Sequence, residues 1–220
     1  MKNRFLFKKV KSGGIVLGFK THLADKINII NTDSKYILWF TISGNIFRLN
    51  QDIMFGITYI PPENSSYCIG DPFNEIENEF LTFSLDHDYI CLVGDFNSRT
   101  SRDADYLDLE YDEFSGMLDI ENTCDDTLES LDLPIQRNSM DIRKNNFGNY
   151  LLDFCKYNNM IIFNGRIGDD RDKGQFTCKN ASVVDYNIGS PCFLKLVQNF
   201  SVLETCSLFS DKKLEIKLII

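Results

Sequence analysis

Apolar runs and polar breaks alternate along the chain with two distinct periods. GGIVLGFK (13–20), KYILWFTI (35–42) and DIMFGITYI (52–60) are short runs rich in β-branched and aromatic residues. They predict strands, the last of them stopped by Pro61-Pro62. NEIENEFLTFS (74–84) has apolar residues at 76, 80, 81 and 83 with acids between them. That spacing predicts an amphipathic helix, with Asp71 or Asn74 as its cap. DYICLVG (88–94) is a continuous apolar run and predicts a buried strand. NNFGNYLLDFCKYNN (145–159) returns to helical spacing at 147, 150, 151, 154 and 155. MIIFNG (160–165), GQFTC (174–178) and ASVVDYNIGS (181–190) predict strands, the last two joined by a Lys179-Asn180 turn. KLVQNFSVLET and KKLEIKLII close the chain as two more. Strands dominate, and each helix precedes a buried strand. The pattern predicts an α/β sandwich of two packed sheets covered by helices.

Composition adds one correction to an ordinary globular picture. The 220 residues fit one domain and are 43% hydrophobic and 25% charged, which argues against disorder. The net charge of −9 would disfavour a nucleic-acid partner. Yet residues 103–132 hold twelve Asp and Glu and no Lys or Arg, so the rest of the chain carries +3. The acidity belongs to one segment, read as a solvated surface excursion. Seven cysteines form no CxxC pair, which excludes zinc-ligand spacing and predicts free thiols in a reducing compartment. No apolar run is long enough to span a membrane, and the basic start MKNRFLFKKVKSGG predicts no secretory leader. The expected location is intracellular.

The candidate chemistry lies at strand ends. In CLVGDFNSRT (91–100) the apolar run ends on Asp95 and Asn97. Alternation along an extended chain puts those two side chains on one side and Phe96 on the other. A carboxylate there can take a proton from water, and an amide can donate to a phosphate oxygen. The same residue types also make a turn. SVVDYNIGS repeats the arrangement with Asp185 and Asn187, and an acid in a core strand needs a partner or a task. Tyr59 stands at the end of the strand before the double proline, and Asn164 at the end of MIIF. Either is read equally well as packing or capping.

YIPP, CLVGDFNSRT, FNGR and GQFTCKNASVVDYNIGS together resemble the endonuclease/exonuclease/phosphatase superfamily. Within it the chain is most similar to the apurinic-endonuclease-like domain of non-LTR (LINE-type) retrotransposons, over nearly its whole length. The resemblance implies a four-layered α/β sandwich, two mostly antiparallel sheets flanked by helices, and Mg²⁺-dependent hydrolysis of DNA phosphodiester bonds. It implies that Asp95 orients or deprotonates the attacking water, Asn97 positions the phosphate, and Tyr59 stabilises the transition state or leaving group. By the same resemblance Asp185 orients a catalytic histidine, Ser182 and Asn164 contact phosphate, and Asp211 belongs to the metal site. The implied setting is a monomeric domain beside a reverse transcriptase.

Two departures limit the resemblance. The family's first strand ends in asparagine and its second carries the metal-binding glutamate, but MKNRFLFKKV contains no Glu or Gln. The domain is therefore expected to lack its N-terminal strands and to expose sheet edges. At the other end Ser210 and Asp211 match, but Lys212 and Lys213 stand where the family has histidine. A degenerate endonuclease with weak or no activity is expected. The alternatives are a phosphoesterase on a small phosphorylated molecule and a non-catalytic interaction domain contacting partners through 103–132. Lys8, Lys9, Lys11, Arg99 and Arg102 are the cations available for DNA.

Overall fold

The computed structural model describes residues 3–9, 14–107, 123–204 and 212–219. Its centre is a six-stranded sheet. In spatial order the strands are β3 (Ile27–Ile30), β4 (Ile37–Ile42), β5 (Ile53–Tyr59), β6 (Ile90–Asp95), β8 (Asp185–Gly189) and β7 (Ile161–Ile162). Only β5 and β6 run parallel, joined by the crossover helix α1 (Pro72–Ser84). Two antiparallel hairpins complete the β structure, β1 (Asn3–Lys9) with β2 (Gly14–Lys20) and β9 (Val197–Leu203) with β10 (Lys213–Leu218).

Period-2 alternation decides what each face of the sheet meets. Ile37, Trp39, Met54, Ile90, Leu92, Tyr186 and Ile188 point to one side. There they pack under α1 and α3 (Asn146–Tyr157), which offer Ile76, Phe80, Leu151, Phe154 and Cys155. The indole of Trp39 is buried and donates to Glu79 Oε2 at 2.8 Å, tying the sheet to α1. The opposite face is covered by the hairpins. Ile15 and Leu17 of β2 lie on Leu38 and Phe40. Phe200 and Val202 of β9 lie in a cluster with Cys91, Phe163 and Phe193. That cluster also takes Cys124 and Leu128 of α2 (Thr123–Ser130) and Leu194 of α4 (Pro191–Leu194).

Both long helices begin on side-chain caps. The Asp71 carboxylate accepts from Asn74 N, and Asn145 Oδ1 accepts from Gly148 N. Several sequence expectations need correction. GQFTC forms no strand: it makes a single bridge, Cys178 to Ser182, closed by Lys179 and Asn180 at φ of 48° and 51°. MIIFNG pairs over two residues only, because the chain turns at Gly165. Strands β1 and β3 and helix α2 fall where none was expected. The 103–132 segment is not wholly a solvated excursion. Asp105 is buried on Arg166, and α2 buries Cys124 and Leu128, while residues 108–122 lie outside the described residues.

Candidate active site

Strands β5, β6 and β8 end together, and their register aligns the candidate residues in one row. Tyr59 is the partner of Asp95 across the parallel pair, and Asp95 is the partner of Asp185 across the antiparallel pair. The next row inward is Ile57, Val93 and Asn187. All three side chains of the outer row are half-buried and face the hairpin side of the sheet. Burial, and then the neighbouring Asp95 carboxylate, push the Tyr59 phenol above its ordinary value.

The turn after β6 is held on every side. Asp95 Oδ1 accepts from Asn97 N at 2.9 Å, and Asn97 adopts φ of 48°. Carboxylate and amide thus form the turn as well as standing at the strand's exit. Asn97 lies beyond the strand, and its Nδ2 donates to Ile60 O at 2.8 Å. Phe96 is buried against Tyr186, as alternation required. Asn145 then bridges outward: its Nδ2 donates to Asn97 O and its Oδ1 accepts from Arg99 N as well as capping α3.

Asn164 is fully buried and spends both ends of its amide on β8. Its Nδ2 donates to Asp185 O and its Oδ1 accepts from Asn187 N, each at 3.1 Å. Ser182 is half-buried in the tight turn whose bridge it forms with Cys178. Ser210 and Asp211 lie outside the described residues. Thr177 emerges as an organiser that sequence patterning does not mark. Its Oγ1 accepts from both Val184 N and Asp185 N, and its carbonyl accepts from Lys212 N at 2.7 Å. This brings Lys212 to the cavity that Asp185 and Asn187 line, with only 8% of its side chain exposed.

Neither histidine is near this row. His87 precedes β6, at the opposite end of the strand from Asp95. His22 lies in the Thr21–Lys26 turn that leads to Ile27, whose partner Ile42 is at the far end of the sheet. Arg99 is not a free cation. Its guanidinium forms two hydrogen bonds with Asp141, whose Oδ2 also accepts from Val183 N. Burial alone would raise the Asp141 pKa, but these bonds carry it below the ordinary carboxylate value. Arg102 donates to Ser139 O. Among the described residues no three His, Cys, Asp or Glu side chains come together to hold a metal ion, and Asp211 lies outside those residues.

The architecture has known counterparts. The endonuclease domain of TRAS1, a telomere-specific non-LTR retrotransposon, superposes with a TM-score of 0.58 at 12% identity, over 98% of this chain and 78% of that one. The 3′-5′ exonuclease NExo from Neisseria meningitidis superposes with a TM-score of 0.53 at 14% identity, over 98% and 79%. The chain shares the fold of these solved domains. A second NExo structure, the 3′ phosphatase from Neisseria bound to a product DNA hairpin, gives 0.54 at 12% identity, over 99% and 80%. No family model and no curated protein sequence matches the chain. Within this fold the row Tyr59–Asp95–Asp185 is the candidate active site. No helix among the described residues is long and apolar enough to cross a membrane.

Proposed function

We propose that the chain is a retrotransposon-derived endonuclease domain of the metal-dependent phosphodiesterase type, with a site too incomplete for efficient hydrolysis. The observation that carries this reading is the register row of Tyr59, Asp95 and Asp185 across three neighbouring strands. DNA is the substrate in this reading, since both the TRAS1 domain and NExo are nucleases by name. A hard divalent cation such as Mg²⁺ would supply Lewis-acid activation in a complete site of this type. Here Asp95 takes the proton of the attacking water. Asn97 positions the phosphate with the part of its amide not bonded to Ile60, and Tyr59 donates toward the leaving oxygen. Ser182 would contact phosphate from the turn it forms with Cys178, while Asn164 acts through β8, whose backbone holds both ends of its amide.

The weakness follows from Lys212. An ammonium offsets phosphate charge, but it does not exchange a proton near neutral pH as an imidazole does. Losing one member of a coupled catalytic group costs roughly three or more orders of magnitude in rate. Purified chain with Mg²⁺ and supercoiled plasmid should therefore nick no faster than an Asp95→Ala control. It should still bind duplex DNA with an affinity that falls as salt rises. Robust nicking that depends on Asp95 would overturn the degenerate assignment. Salt-independent or absent DNA binding would remove DNA as the substrate.

A further inference from the structure

Arg137 is 1% exposed, and its guanidinium is only partly matched by the protein around it. Its Nη2 donates to Thr100 Oγ1 at 2.6 Å and to Asp103 O at 3.3 Å. Its Nε and Nη1 are buried and meet no acceptor among the described residues. Nη2 alone is satisfied, so most of the N–H bonds of this side chain point at no acceptor. Buried donors in that state are rare and costly.

The acceptors nearby are committed elsewhere. Thr100 Oγ1 accepts from Arg137, so its own proton goes to the Tyr186 hydroxyl at 3.1 Å. Tyr186 in turn donates to the carbonyl of Ser98 or Val183. Asp105 accepts from Arg166 on both oxygens and from Ile162 N. Asp141 accepts from Arg99 on both oxygens and from Arg143 N and Val183 N. Asp103 turns its carboxylate outward to Lys144. Burial pushes the Cys155 thiol, which the Arg137 charge also reaches, well above its ordinary value, so it supplies no negative charge. The charges do not balance either. Arg137 and Arg166 are both fully buried and act on one buried carboxylate, Asp105. Arg99 and Asp141 cancel one another. A positive charge is left over in the interior, a strongly destabilising arrangement unless a counter-charge joins it.

We infer that Arg137 is the centre of an internal anion site, which holds a small monovalent anion of chloride size against its unmatched N–H bonds. A water molecule there would complete hydrogen bonds and leave the charge, whereas an anion does both. Size follows from burial. Both unmatched nitrogens are closed off from solvent, which excludes a phosphate group carried on DNA or any larger acid. The bound ion would brace the loop that follows β6, which Arg137 grips through Thr100 and Asp103, against the chain around residue 137. The inference concerns the interior, and it holds whether or not the row at the strand ends hydrolyses a phosphodiester.

The probe is chloride itself. Urea unfolding of the full chain, followed by Trp39 fluorescence, is measured at fixed ionic strength while sodium chloride replaces sodium gluconate, whose anion is too large to enter. The expected result is an unfolding constant that falls about tenfold for each tenfold rise in chloride once the site is filled. Bromide should act in the same way. Arg137→Met chain that retains wild-type circular dichroism should lose the dependence. Should that variant not fold, wild-type crystals grown in bromide decide: an anomalous bromine peak in hydrogen-bonding contact with Arg137 supports the site, and none there overturns it. Equal unfolding constants in chloride and gluconate also overturn the inference, because water then suffices. So does a chloride dependence that survives in Arg137→Met, because surface cations then bind the ion. Plasmid nicking is not read in this experiment, so its failure is separate from that of the proposed function.

Discussion

Asp105→Ala should lower the free energy of unfolding by about 3–5 kcal/mol, because it leaves a guanidinium stranded in the interior. Arg166 is 1% exposed and donates through Nη1 and Nη2 to the two carboxylate oxygens of Asp105, each at 2.8 Å. The same guanidinium holds the carbonyls of Pro134, Ile135 and Ile162, and Asp105 accepts from Ile162 N. The pair thus pins edge strand β7 to two loops at once. Urea unfolding followed by Trp39 fluorescence measures the loss. The control is Asp103→Ala, which removes an exposed pair with Lys144 and should cost less than about 1 kcal/mol. Equal costs for the two variants would refute the buried pair as a keystone.

The same pair sets an acid limit. Burial by itself would raise the Asp105 pKa, but the Arg166 guanidinium outweighs it and holds the carboxyl below its ordinary 3.8. A carboxylate whose pKa is depressed in the folded state contributes its full stability above the ordinary value and loses it as pH falls through the depressed one. Asp141 beside Arg99 has the same sign. Stability of the wild-type chain should therefore decline below about pH 4. Asp105→Ala should show a shallower decline over that range.

Gly94→Ala should destabilise the fold by roughly 3 kcal/mol or more and separate the strands that carry the candidate site. Gly94 has φ of 140°, and a Cβ there would lie 1.9 Å from the Thr58 carbonyl oxygen. That oxygen belongs to the parallel β5–β6 pair at the middle of the sheet, so neither partner can move aside. Gly70 provides the comparison. Its φ of 80° is also left-handed, but nothing lies within 4 Å of its Cβ position. Gly70→Ala should cost only about 1 kcal/mol, the backbone strain alone. Chemical denaturation of both variants separates contact from strain, and similar losses would show that the Thr58 contact does not decide the outcome.

Local signals made much of this fold readable in the chain. The apolar runs around Ile57, Leu92 and Ile188 form strands, and the helical spacing of Ile76, Phe80, Leu151 and Phe154 forms helices, where the pattern puts them. Of the two caps the pattern allowed for α1, Asp71 takes the role and accepts from the backbone of the other, Asn74. What was not readable depends on partners distant in sequence. Acidic composition concealed the burial of Asp105, since its partner Arg166 lies 61 residues away. GQFTC has strand composition, but the Thr177 hydroxyl takes two backbone amides and the left-handed Lys179 and Asn180 close the chain into a turn. The single row of Tyr59, Asp95 and Asp185 exists only through register, which no one of the three motifs contains. Lys212 reaches that neighbourhood through a bond to the Thr177 carbonyl, invisible to spacing along the chain.

The central sheet also carries a built-in pair of chemical clocks. Cys91 is buried on its hairpin side and Cys155 in the helix layer on its other side, and burial pushes both thiols well above their ordinary values. Neither thiol is ionised or reachable while its layer is closed. The alkylation rate of Cys91 therefore times the lifting of the β9–β10 hairpin with α2 and α4, and that of Cys155 times the lifting of α3. One labelling experiment would then tell whether the two coats of the sheet come off together or in turn.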